Sequence, residues 1–276
     1  MFLLQQFLPG VLTAVLISGV IAFAGRLWGA NRWADAVALG MGYAGGHLVT
    51  AGWPALPPSE ATQWLPYFAL AAMFLGVIDA VLRPPGPLRM LIWMLCCMGF
   101  LRLLLSAKFQ YGWSLAQGWL WVAGLAAGML ALAIFLDAAV RRDRSISTPL
   151  VLTIVAGGTS AALVLSGSML LGQLAMALAA ALGAILAATF LLPKSVEGRG
   201  IVPVGVASLA CLWLSGYFYS ELPLASALLL AVASLPALFM ISISERVSSW
   251  GAIALRAGIV LIPVVISVML AFVASP

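Results

Sequence analysis

Apolar residues come along this chain in runs of about 18 to 23 positions, and the short stretches between the runs gather prolines, glycines and charges. A bilayer core of about 30 Å is crossed by roughly 17 to 25 helical residues. The pattern therefore predicts ten spans, over 7–24, 35–53, 64–82, 90–107, 114–136, 149–167, 170–192, 201–220, 223–243 and 251–273. The runs lack the polar alternation of a barrel strand, and a backbone facing lipid must bond to itself, so the spans are read as helices. Helix breakers mark the joints: Pro54, Pro57 and Pro58; Pro84, Pro85, Gly86 and Pro87; Pro193, Gly198 and Gly200. The weakest joint is Ser166-Gly167-Ser168, between spans six and seven; without a turn there the count is nine.

Composition gives the same answer. Of 276 residues 64% are hydrophobic and 8% charged, with a mean hydropathy of +1.16, against about 25% charged in an ordinary soluble domain. The expected fold class is all-α: a polytopic helical membrane protein of about ten transmembrane helices. Residues 11–24 end in Ala22-Phe23-Ala24, like the close of a secretory signal, but Met1 to Gly10 carry no positive charge, so this segment is read as a retained span.

Several chemistries are excluded or disfavoured. Cys96, Cys97 and Cys211 sit in apolar runs without C-x-x-C spacing, and His47 is the single histidine, so neither a thiolate metal site nor an H-E-x-x-H motif is present. No metal or cofactor is expected. No phosphate-cradling glycine loop occurs, and cations scattered singly through loops do not form a basic face for nucleic acid. The expected partner is the lipid bilayer, with a small solute as substrate; other membrane partners and the oligomeric state are left open.

The cations instead orient the chain. Arg26, Arg32, Arg83, Arg89, Arg141, Arg142, Arg144, Lys194, Arg199 and Arg246 all fall in or beside the odd-numbered loops, whereas the even ones hold Lys108 alongside Glu60 and Glu221. Lys and Arg are retained in the cytoplasm, which places both termini outside it. Compactness suggests a bacterial inner (plasma) membrane. Trp53, Trp64, Trp113, Trp119, Tyr217 and Tyr219 are expected as anchors at one interface, and Trp28, Trp33 and Trp250 at the other.

An internal echo divides the chain. Pro9, Val11, Leu12, Thr13 and Val15 return as Pro149, Val151, Leu152, Thr153 and Val155, at an offset of 140. Looser matches link Leu65-Pro66 with Val202-Pro203 and Pro87-Leu88 with Pro223-Leu224. The halves, 1–144 and 145–276, then hold five spans each, and an odd number forces the second to enter the membrane inverted, as in many secondary transporters. In size and plan this is similar to the drug/metabolite transporter superfamily; the chain carries none of that family's motifs, and its charge bias puts the termini on the opposite side.

Polar residues inside the spans are the candidate site. Arg102 lies about 18 Å along span four at 1.5 Å per residue from Met90, to snorkel outward or to serve a buried site as a cation paired with an anionic substrate or with an outer-side carboxylate such as Glu60 or Glu221. His47 is positioned to titrate near neutral pH or to be a bonded interfacial histidine. Gly45 and Gly46, with Gly157 and Gly158 in the other half, allow either close helix packing or an unwound stretch lining a site. Asp79 with Arg83, and Asp137 with Arg141, are spaced to form structural ion pairs on one helix face. These features favour a secondary transporter or permease for a small solute. The alternative is a non-catalytic structural or assembly subunit; an intramembrane enzyme is the weakest reading, because no paired carboxylates appear.

Overall fold

The computed structural model describes residues 2–142, 147–192, 200–235 and 249–274, and every regular element among them is helical. Eleven helices are described: α1 Phe2–Leu27, α2 Asn31–Ala51, α3 Ala61–Leu82, α4 Gly86–Leu104, α5 Ser106–Tyr111, α6 Leu115–Arg142, α7 Ser147–Leu165, α8 Met169–Leu191, α9 Ile201–Tyr219, α10 Leu224–Ala233 and α11 Ser249–Ala274. Eight of them, α1, α3, α4, α6, α7, α8, α9 and α11, are long and apolar enough to cross a bilayer. The protein is therefore multi-pass.

The expected boundaries shift in several places: α1 opens at Phe2, before its expected start, and α6 runs on to Arg142, past its expected end. Span two exists as the 21-residue α2, whose Asn31, Arg32, Asp35, His47 and glycines keep it below the hydropathy of the eight. Span four ends at Leu104 and the chain turns into the six-residue α5, three residues earlier than expected. Span nine is described only over the ten residues of α10; Pro236 and the remainder of that span lie outside the described residues, as do Arg144, Lys194, Arg199 and Arg246. The doubtful joint at Ser166-Gly167-Ser168 is a true turn. Gly167 takes φ 82°, a conformation that glycine adopts without steric cost, and the Ser168 hydroxyl accepts from the Leu171 amide to open α8.

Packing is organised by small residues, because lipid tails are as apolar as leucine and give helices no solvent-driven reason to associate. In α2, a side chain at Gly42 would strike Ser18 of α1, and one at Gly46 would meet the Gly10 carbonyl and Ala177 of α8. The Ser18 hydroxyl donates to the Ala38 carbonyl at 2.8 Å across this contact. The same device joins α7 to α8, where Ser160 donates to the Gly172 carbonyl at 2.7 Å. α8 packs on α1, α2 and α7, α3 packs on both α2 and α9, and α11 lies along α7 and α10. α9 is buried along most of its length and forms the centre, while α1, α4, α6 and α11 turn large apolar side chains outward.

Candidate functional site

Two ends of the bundle can be told apart by chemistry. At the basic end, the last turn of α1, the first turns of α2 and the last turn of α8 meet in one buried cluster. Arg26 donates to the Asp35 carboxylate at 2.9 Å and to the Thr189 hydroxyl at 2.7 Å. A second cluster gathers the end of α3, the start of α4 and the end of α6. Arg89 forks onto Asp137 with bonds of 2.7 and 2.8 Å and also binds Asp79, while Arg141 bonds the same Asp137 oxygen at 2.8 Å. The Arg89 guanidinium also stands 4.4 Å over the Trp93 ring, an arrangement that offsets part of its desolvation.

The expected Asp137–Arg141 pair is thus present as one edge of a larger network. Asp79 reaches across to Arg89 on the next helix, and Arg83 caps α3 in the left-handed region at φ 47°. Arg89, read from sequence as a loop cation, is the hub. Its partners Asp79 and Asp137 lie 10 and 48 positions away, outside the i, i+4 spacing that made the other pairs visible.

The far end is open. A cavity of about 350 Å³ is lined by Ser59, Glu60 and Thr62 at the start of α3, by Leu104, Ser106 and Ala107 at the α4–α5 joint, by Ser168 and Leu171 at the start of α8, and by Ser215, Tyr219 and Ser220 at the end of α9. Both halves of the chain contribute, and the volume lies within the range of small-molecule sites, about 300–1,000 Å³. Its walls are rich in hydroxyls and contain one carboxylate, Glu60, but no Lys or Arg. One wall is pinned across the halves by the Tyr219 hydroxyl, which donates to the Leu104 carbonyl at 2.8 Å, with Lys108 above the Tyr219 ring. The Ser215 side chain, 1% exposed, has no hydrogen-bond partner among the described residues.

The residues singled out from sequence do not converge on one point. His47 is buried behind the cavity wall, its Nε2 3.1 Å from the carbonyl of the lining residue Thr62 and its Nδ1 without a partner among the described residues. Because a carbonyl only accepts, Nε2 carries the hydrogen. Arg102 lies in the last turn of α4 with its guanidinium 4.1 Å over the Phe109 ring of α5, outside the cavity lining. Gly45 and Gly46 lie in unbroken helix, as do Gly157 and Gly158, so neither pair is unwound. Gly45 and Gly46 admit α1 and α8; Gly158 admits Val264 of α11, and Gly157 faces open space.

What sequence reasoning missed is the cavity itself. Its lining comes from helix ends and joints, each read only as punctuation. The run Ser59-Glu60-Ala61-Thr62 and the paired serines of the span six–seven turn were the available signal. Among the described residues, no group of three His, Cys, Asp or Glu side chains is placed to hold a metal ion. Compared with known proteins, the chain matches no family model, no curated protein and no solved structure.

Proposed function

We propose that the protein is a secondary transporter or permease for a small solute, built as ten spans in two inverted five-helix halves, 1–144 and 145–276. The observation that carries this reading is the polar cavity between the halves at the far end, opposite the buried cluster at the basic end where Arg26 bonds Thr189 across the halves. With the basic end cytoplasmic and both termini outside, the bundle stands open outward and latched inward. This is one of the two states that alternating access requires.

The inverted repeat draws support from local geometry. Thr13 and Thr153 hold repeat-related positions on α1 and α7, and these helices run in opposite directions, since α1 ends and α7 begins at the basic end. Equivalent helices also meet each other, α2 with α8 and α3 with α9, as elements near a pseudo-twofold do. The α1–α8 interface has no comparable counterpart between α7 and α2, so the halves are not equal in arrangement.

The test is labelling from each side. With Cys96, Cys97 and Cys211 replaced by alanine, a variant with Thr62→Cys, at a half-buried position of the cavity lining, in proteoliposomes of defined orientation is exposed to a membrane-impermeant maleimide. Alternating access predicts labelling from the outer face, and labelling from the inner face once the basic-end latch is removed by Thr189→Val. Labelling from the outer face alone, in both backgrounds, would refute transport through this cavity.

A second reading, an assembly subunit, is favoured by one feature. An apolar groove of about 230 Å³ runs between α6, α9 and α10, and Gly124 and Gly128 on its α6 wall face open space. Spaced small residues of this kind accept a partner helix in a membrane. Recovery of a stoichiometric membrane partner, lost on Gly128→Leu, would support it.

A further inference from the structure

The cavity has an electrical polarity that the transporter reading leaves unused. Its first-half wall carries Glu60, exposed at the N-cap position of α3, with a side chain that makes no capping bond to that helix. Its second-half wall carries the opening turn of the 23-residue α8, with Ser168 and Leu170 both lining the space. The first amides of a helix have no acceptor one turn back, and here Ser168 takes only that of Leu171, at 3.4 Å. The amides of Met169 and Leu170 are left as the positive end of the helix dipole. The Ser215 hydroxyl lines the same cavity, buried and without a partner among the described residues.

These two walls select by charge. A simple anion meets Glu60 and, among the described lining residues, no Lys or Arg, since Lys108 beside that wall lies over the Tyr219 ring. A simple cation has Glu60 but also meets the positive end of α8, and a neutral polyol leaves both walls to water. A molecule carrying both charges satisfies both.

Resting on the transporter reading, we propose that the far-end cavity binds a small zwitterion, its cationic group against Glu60 and its carboxylate against the first turn of α8 and the Ser168 and Ser215 hydroxyls. The hydroxyls donate to the carboxylate, which removes the unmet bonding of Ser215. The ion pair with Glu60 sits at the mouth, where capture from the outer face begins.

The test uses the full chain in lipid nanodiscs and matched sets of probes: glycine, L-serine, L-leucine and glycine betaine as zwitterions; the methyl esters of the first three as cations; glycolate and acetate as anions; erythritol as a neutral polyol. Binding is read by calorimetry and by the shift in unfolding temperature. The expected result is that at least one zwitterion binds about tenfold tighter than its charge-deleted relatives. Glu60→Gln and Ser215→Ala should each weaken that binding by about tenfold, with the unliganded unfolding temperature retained, since neither side chain makes a bond that holds the fold among the described residues. An ester, acid or polyol that binds as tightly as every zwitterion, or zwitterion binding untouched by Glu60→Gln, overturns the proposal and leaves transport standing with another solute class. Failure of all four classes to bind overturns the zwitterion site, and together with one-sided labelling of Thr62→Cys it overturns transport as well.

Discussion

Arg26 and Thr189, 163 positions apart in the chain, are joined by a 2.7 Å hydrogen bond at the basic end of the bundle, where Arg26 is also paired with Asp35. The bond ties α1 to the last turn of α8. A buried pair broken on one side leaves an uncompensated charge, a cost of about 3–5 kcal/mol. Asp35→Asn is therefore expected to lower the unfolding temperature in detergent steeply. Arg26→Met combined with Asp35→Leu should recover most of that loss, because neither charge then remains buried. Equal instability of single and double variants would contradict this account.

The Arg89 network predicts unequal effects from two arginines. Arg89→Gln removes the buried guanidinium that Asp79 and Asp137 share and should cost several times more than Arg141→Gln. The Arg141 side chain is 50% exposed, and exposed pairs contribute only about 0–1 kcal/mol. Chemical denaturation of the two variants, with Asp137→Asn added to complete the cycle, measures the coupling. A loss at Arg141 equal to that at Arg89 would show that the hub is misassigned.

Two glycines singled out from sequence should behave in opposite ways. Gly46→Leu forces apart α1, α2 and α8, since even a Cβ there lies 2.9 Å from Ala177 and 3.0 Å from the Gly10 carbonyl; overpacking of this kind costs about 1–3 kcal/mol or more. Gly157→Ala meets nothing within 4 Å and removes a helix-weakening glycine, so it should be neutral or stabilising by up to about 1 kcal/mol. Thermal unfolding of both variants in the same detergent decides, and a destabilised Gly157→Ala would count against the open space beside α7.

His47, alone of its kind in the chain, can be observed without assignment. In protein labelled with ¹⁵N-histidine and reconstituted in lipid, the ring is expected in the Nε2–H tautomer, because its neighbour is the Thr62 carbonyl at 3.1 Å. A dominant Nδ1–H tautomer would mean that this bond is not made.

Much of the architecture was legible in advance. The apolar runs located α2, α3, α4, α7, α8, α9 and α11 to within a few residues, though not the short α5, and Gly167 and Ser168 marked the turn that separates α7 from α8. Asp137 and Arg141 were legible as a pair because i, i+4 spacing on one helix fixes their proximity. Arg89 was not, because its carboxylates arrive from α3 and α6. Arg102 looked deep only because span four was drawn three residues too long; with α4 ending at Leu104 it sits in the last turn, against Phe109.

By itself the sequence determined that the chain is helical, that it crosses a membrane many times, and where most crossings begin and end. Those are properties of each segment alone, set by its length, its hydropathy and its breakers. The tertiary structure decided which faces look inward, and so brought Arg26 to Thr189, Arg89 to Asp137, and Glu60, Ser168 and Ser215 to one cavity. In helices that are apolar on every side, little hydrophobic stripe distinguishes core from lipid. Their rotation is set by the fit of small residues such as Gly42 against Ser18 and Gly46 against Ala177, and that pairing exists only once the helices have met.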